Sequence, residues 1–133
     1  NVLDKRQTLT EKLVSLIRFS LSDTYIYDLA SKIRHFYDLH YLLQDEECAN
    51  YLQSKQFKID FNSLLKHDRE TFDKPDGWNG MQIRQSPLLS DFPAIWSSLK
   101  GTYLKELPAI AFSEIPSEDA VAKSFEVIIK SIN

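Results

Sequence analysis

Glycine is scarce in this chain, which has 3 glycines in 133 residues, where average usage would give about nine. Turn-rich β-barrels, dinucleotide-binding folds and glycine-rich phosphate loops all need more glycine, so the sequence argues against each of them. Cys48 is the only cysteine, which excludes an internal disulfide and favours a reducing, cytoplasmic location. No apolar run approaches the roughly 18 residues that span a bilayer, and we expect no membrane partner.

The charges that are present nearly balance. The chain has 16 Lys and Arg against 19 Asp and Glu, a net charge of −3, which argues against general affinity for nucleic acid or anionic membranes. Hydrophobic residues make up 43% of the chain, enough for one core, and the length fits one domain. The chain begins at Asn1 rather than at a methionine, so we expect a piece of a longer protein.

Apolar residues at helical spacing predict an all-α fold. We expect a single bundle of six or seven helices, with one loop around residues 73–86 that holds two of the three glycines and a proline. The predicted helices cover residues 9–20, 24–43, 46–54 and 59–72, followed by helices that start after Ser86, Asp91 and Ser117.

Three helix starts are predicted from side chains that can cap a helix, one of them Ser117 in front of the last helix. Thr8 and Glu11 have the T-x-x-E spacing of a capping box in front of the first helix. Asp60 is the preferred N-cap of the helix that follows it.

Few side chains form a pattern typical of a metal or nucleophilic site. The three histidines are too far apart for a finger-like zinc site, and no metal ligands are predicted. Cys48 lies on an apolar face and is interpreted as a core residue. The acidic residues 45–47 are typical of a solvated helix start.

The two tryptophans differ in their surroundings. Trp96 lies on an apolar stripe at helical spacing and is interpreted as a core residue, whereas Trp78 in the loop is either buried or a stacking platform.

The most informative segment is the run from Lys32 to Leu42. Arg34 and Asp38 lie one helical turn apart on the same face, and the aromatics around them predict that the pair is half-buried. A surface ion pair and a functional pair are both open at this point. If the pair is half-buried, we expect each member to have a partner beyond the other.

The same segment resembles a known family. Residues 34–39 read R-H-F-Y-D-L, which resembles the late R-H-x-Y-D-L motif of AbiEii-type nucleotidyltransferase toxins. Residues 10–12 read T-E-K, with Lys12 standing 26 residues before Asp38, and resemble the E-K helix start of that family. The resemblance covers residues 6–43 well and the rest of the chain only in its general helical character.

The resemblance implies a role for each matching residue. Lys12 would lie near the nucleotide phosphates and neutralise charge on the transferring phosphoryl group. Asp38 would be the acidic residue needed for activity, in the role of a general base toward an acceptor hydroxyl. Arg34 would orient Asp38 or contact phosphate. The remaining residues expected to bind nucleotide or acceptor are His35, Tyr37 and Lys32.

One departure from the family concerns glycine again. Nucleotidyltransferases of this family need a Gly-Ser pair followed by paired carboxylates that hold Mg²⁺, and this sequence has no Gly-Ser dipeptide. We therefore expect Mg²⁺ and NTP to be bound by an N-terminal domain outside these residues, and the chain alone to be inactive. The resemblance further implies an antitoxin as partner and tRNA as acceptor, and an uncovered apolar face would favour self-association.

Two other functions are considered. A non-enzymatic helical module that binds another protein fits the same composition. A self-contained hydrolase that uses His35 and Asp38 is disfavoured, because no nucleophile or oxyanion-binding group accompanies these two residues.

Overall fold

The computed structural model of the chain describes residues 2–109 and 115–132. Within these residues there are eight α-helices and no strand, which confirms the all-α prediction, and six of the helices have seven residues or more. No helix among them is both long enough and apolar enough to cross a bilayer. The helices are α1 (Val2–Ser20), α2 (Tyr25–Ala30), α3 (Ile33–Gln44), α4 (Glu46–Leu52), α5 (Lys55–Thr71), α6 (Pro87–Ser90), α7 (Phe92–Glu106) and α8 (Glu118–Ile132).

Helix α1 lies at the centre of the bundle and packs against α2, α3, α4, α5 and α6. Its predicted apolar stripe is buried: Leu9, Leu13 and Ile17 have no exposed surface. The predicted capping box is wrong, because α1 begins at Val2 and both Thr8 and Glu11 therefore lie inside the helix. At these positions the backbone N–H groups already bond within the helix and need no cap.

The predicted helix over 24–43 is two helices. α2 ends at Ala30 and α3 begins at Ile33, with a turn at Ser31 and Lys32 between them. The Ser31 hydroxyl donates to the Asp28 carbonyl at 2.6 Å, a local bond that competes with helical pairing. The break lets α2 pack against α7 while α3 packs against α8.

An aspartate caps the start of α4, and a serine caps the start of α5. Asp45 accepts a hydrogen bond from the Cys48 N–H at 3.2 Å, and Ser54 accepts one from the Phe57 N–H at 3.2 Å. The prediction of Asp60 as the cap is wrong, since α5 starts five residues earlier at Lys55. Burial of Phe57 against the core supports this extra turn.

The loop over 73–86 is confirmed, and it packs against α5 and against the Arg18 side chain of α1. Trp78 is fully buried, and its indole N–H donates to the Phe72 carbonyl at 2.9 Å. The Arg18 guanidinium of α1 lies over the Phe72 ring at 4.4 Å and the Trp78 ring at 5.9 Å. Gly77 has a φ of 81°, a conformation that favours glycine. Trp78 is thus a core residue.

The C-terminal helices complete the core. Ser117 caps α8, as predicted, by accepting a hydrogen bond from the Ala120 N–H at 3.1 Å. Phe125 of α8 packs on the Phe36 ring at 5.2 Å and the Phe92 ring at 5.0 Å. Helix α8 thereby covers α3 on the face opposite to the polar residues described next.

Candidate functional site

An ion pair joins α1 to α3 at the surface of the bundle. The Lys12 Nζ atom lies 3.0 Å from the Asp38 Oδ2 atom. Both side chains are largely covered, with exposed fractions of 25% and 22%, so the pair is held more firmly than a free surface pair. The structure therefore brings together the two residues that the sequence places 26 positions apart.

Arg34 is the weaker partner of Asp38. Its Nε atom lies 3.8 Å from the Asp38 Oδ1 atom, and its side chain is 65% exposed. The expectation that this pair is half-buried is wrong for Arg34, because that side chain extends from α3 into solvent. The expectation of a further partner is met for Asp38, which bonds Lys12.

The ion pair lies in an open groove of about 660 Å³ between α1 and α3. Two tyrosines of α3 form part of it, with the ring centres of Tyr37 and Tyr41 4.7 Å apart. Burial, with a smaller effect from the Tyr41 hydroxyl, raises the pKa of Tyr37, so its hydroxyl stays protonated at neutral pH. The groove is lined by Lys5, Thr8, Lys12, Tyr37, Asp38, Tyr41, Leu42 and Asp45.

A second ion pair lies in the same groove. The Lys5 Nζ atom is 3.4 Å from the Asp45 Oδ1 atom. Asp45 is also the N-cap of α4, and its bond with the Cys48 N–H lowers the pKa of its carboxyl, an effect to which Lys5 adds. The groove therefore contains two lysines and two aspartates of opposite charge.

His35 and Lys32 lie outside this groove. His35 lines an adjoining recess of about 260 Å³ together with Thr8, Glu11 and Lys12. Burial, followed by the charges of Lys12 and Lys32, lowers the pKa of His35 to about 4, so the ring is neutral at physiological pH. The Lys32 Nζ atom lies over the Phe19 ring at 4.4 Å, and the structure does not bring it to the ion pair.

Comparison with known protein families matches residues 1–126 to the family described as nucleotidyl transferase AbiEii toxin, Type IV TA system. The chain belongs to this AbiEii family. The match extends well beyond residues 6–43, where the sequence motifs lie. Searches of curated proteins and of solved structures found no match. The AbiEii family forms part of a toxin–antitoxin system, which implies an antitoxin partner.

Other candidate residues of this AbiEii chain have structural roles. Cys48 is fully buried, and burial raises the pKa of its thiol, which makes it a weak nucleophile. Trp96 is a core residue whose indole N–H donates to the Glu118 carboxylate at 2.7 Å. Asp45 caps α4 and the two acidic residues after it occupy its first turn, as the sequence predicted.

Metal-ligating side chains do not cluster in the part of the chain that the structure describes. Across residues 2–109 and 115–132 there is no group of three or more His, Cys, Asp or Glu side chains that could hold a metal ion. Asp38 and Asp45 are each engaged with a lysine instead. The two groove aspartates are therefore not gathered into a shared set of metal ligands in the described residues.

Sequence reasoning missed one side of the groove. Lys5, Thr8 and Lys12 are spaced at three and four residues, which places them on one face of a helix. This signal could have been found if α1 had been predicted to start before Thr8. Asp45 was interpreted only as part of a helix start, although it both caps α4 and pairs with Lys5.

Proposed function

We propose that this chain supplies the Lys12–Asp38 pair to the transfer of a nucleotide from an NTP to an acceptor hydroxyl. The observation that carries the proposal is the 3.0 Å contact between Lys12 Nζ and Asp38 Oδ2. The two residues that match the motifs of the AbiEii family come from separate helices and meet at the edge of one groove. This proximity of the two motif residues supports a shared role.

Lys12 is suited to bind phosphate because its ammonium is a compact charge beside an open groove. Negative charge develops on the phosphoryl oxygens during transfer, and a positioned cation stabilises that charge more than it stabilises the substrate. His35 lies in the recess beside Lys12 and is neutral, so it adds no competing positive charge. In this proposal Lys12 moves from Asp38 to the phosphate when the nucleotide binds.

Asp38 acts as the general base that takes the proton of the acceptor hydroxyl. The hydroxyl oxygen then forms a bond to the α-phosphorus of the NTP, the bond from that phosphorus to the bridging oxygen breaks, and pyrophosphate leaves. When Lys12 turns to phosphate, the carboxylate keeps Arg34 as a partner at 3.8 Å and is not left unpaired. The Arg34 side chain is 65% exposed, so it is accessible to phosphate as well as to Asp38. We propose tRNA as the acceptor, on the strength of the family resemblance.

Mg²⁺ and the NTP would be held by a nucleotidyltransferase domain outside these 133 residues. The support is chemical: the described residues offer no set of three metal-ligating side chains, and the sequence has no Gly-Ser pair. The chain would then form one wall of the cleft. In that arrangement the whole protein is a nucleotidyl transferase toxin and the chain alone is inactive.

The test is a growth assay in a bacterial host that expresses the whole protein. We expect Lys12→Ala and Asp38→Asn each to abolish toxicity, while the melting temperature of the purified protein changes little. The matched control is the exposed ion pair of α8, in which Lys123 Nζ lies 3.1 Å from Asp119 Oδ2. Lys123→Ala and Asp119→Asn remove charge in the same way and should leave toxicity intact.

Two results would contradict the proposal. Retained toxicity in both groove variants would show that Lys12 and Asp38 form an ion pair with only a structural role. Equal loss of toxicity in the Lys123 variant would show that any lost surface charge is enough, and the groove would have no special role.

A further inference from the structure

The groove repeats the same ion pair at two places along its length. Lys5 and Lys12 are seven residues apart on α1, and their partners Asp45 and Asp38 are also seven residues apart. Seven residues of α-helix span about 10 Å. The groove therefore has two lysines whose backbone positions lie about 10 Å apart along one wall, and only Lys12 is used by the proposed function.

Both lysines can leave their aspartates at little cost. Asp45 keeps the Cys48 N–H at 3.2 Å when Lys5 moves away, just as Asp38 keeps Arg34. Lys5 is also the more exposed lysine, with 49% of its side chain exposed against 25% for Lys12. A carboxylate that retains a hydrogen-bond donor avoids the penalty of an unpaired charge. An incoming anion can therefore replace Asp45 as the partner of Lys5.

An aromatic platform lies between the two pairs. Tyr41 is 43% exposed, and its ring leans against Tyr37 at 4.7 Å with an angle of 59° between the planes. Both rings line the groove. A half-exposed ring that is supported by a second ring is suited to stacking against a planar ligand.

We propose that the Lys5 end of the groove is a second subsite, in which Lys5 binds a phosphate and Tyr41 stacks on a base of a single-stranded nucleic acid acceptor. This inference rests on the proposed function and adds the residues that hold the acceptor upstream of the reacting end. A duplex cannot offer its bases to Tyr41, because they are stacked and paired.

The test is fluorescence anisotropy of a short, unstructured, fluorescein-labelled single-stranded RNA titrated with the 133-residue chain at low salt. We expect Tyr41→Ala to weaken binding about tenfold and Tyr41→Phe to preserve it, because stacking needs only the ring. Lys5→Ala should weaken binding about threefold to tenfold and make the slope of log K against log salt less negative by about 0.7. Lys123→Ala is the matched control on α8 and should bind like the parent.

Asp45→Asn is the most discriminating variant. Asparagine still caps α4, but it no longer competes with phosphate for Lys5 or repels it. Binding of the RNA should therefore become tighter, by about threefold or more, whereas any variant that merely damages the fold would bind more weakly. Circular dichroism checks that each variant remains helical.

The inference is overturned by no detectable binding of the parent chain, by parent-like affinity in Lys5→Ala and Tyr41→Ala, or by equal affinity for double-stranded RNA. Binding is measured without NTP and without turnover, so its outcome is separate from that of the growth assay. If Lys12→Ala and Asp38→Asn keep full toxicity while the RNA results are as expected, the proposed function fails and an RNA-binding groove remains.

Discussion

The pH dependence of stability offers a test of how the groove is built around Lys12. His35 lies beside Lys12 in the adjoining recess, and burial together with the charges of Lys12 and Lys32 lowers its pKa to about 4 from an ordinary value of 6.5. The perturbation is His35→Gln, which keeps a polar side chain of similar reach and removes the titrating ring.

The sign of the effect follows from proton binding. The unfolded chain binds a proton at His35 below pH 6.5, while the folded chain resists it until about pH 4. Stability from the neutral ring is therefore complete above pH 6.5 and is lost as the pH falls toward 4. Each pKa unit corresponds to about 1.4 kcal/mol, and because the ring is only half-buried, solvent screening reduces the total to about 1–2 kcal/mol.

The assay is urea unfolding of the chain and of His35→Gln, followed by circular dichroism at several values of pH between about 7 and 4.5. The free energy of unfolding should fall more steeply with acid in the parent, and the difference between the two proteins should change by about 1–2 kcal/mol over this range. His40, whose pKa is also lowered by burial, contributes equally to both proteins. The exposed His67 provides the control substitution His67→Gln. Parallel pH profiles for the parent and His35→Gln would refute the reasoning.

Three further results are expected. Trp78→Ala should lower the free energy of unfolding by about 3–5 kcal/mol in urea titrations, since Trp78 is fully buried and holds the loop on α1; a loss below about 1 kcal/mol would show that the loop is not anchored there. Tyr51→Phe should cost about 1.5 kcal/mol in the same assay, because the Tyr51 hydroxyl donates to the Asp60 carboxylate at 2.6 Å, and an unchanged midpoint would contradict it. The purified chain, incubated with labelled NTP, Mg²⁺ and tRNA, should transfer no label. Measurable transfer would contradict the proposal that a domain outside these residues holds Mg²⁺ and NTP.

The helices of this protein could be predicted from sequence because most of its core follows helical spacing. Leu9, Leu13 and Phe125 are all buried where the apolar pattern places them. A pattern of this kind reports which residues face the core, and in a small all-α domain that is most of the fold. The loop around Trp78 was located because glycine and proline interrupt the pattern there.

The break between α2 and α3 could not be predicted in the same way. Leu29 and Ile33 are four residues apart and both are buried, so the apolar spacing continues through the turn at Ser31 and Lys32 without a gap. Tertiary packing acts together with the local Ser31 bond at this turn, since α2 contacts α7 whereas α3 packs mainly on α8. Helix starts were missed for a related reason, because buried contacts such as that of Phe57 extend a helix past the cap that local sequence favours.

The candidate site, like the fold, could be predicted from the sequence only in part. Helical spacing placed Asp38 beside Arg34, but the closer partner Lys12 comes from another helix and was reached only through the family resemblance. No local pattern links Lys5 with Asp45, which lie 40 residues apart. Ion pairs between helices depend on how the helices pack, and that information is spread over the whole core.

The groove gains its geometry from the core directly beneath it. Lys12 is followed on α1 by the buried Leu13, and Asp38 is followed on α3 by the buried Leu39. A shift of either helix would separate Lys12 from Asp38, so the same packing that stabilises the bundle sets the distance between them. Sites on packed helices hold their side chains more closely than sites on loops. The distance between Lys12 and Asp38 is therefore fixed by the helix packing that also forms the core.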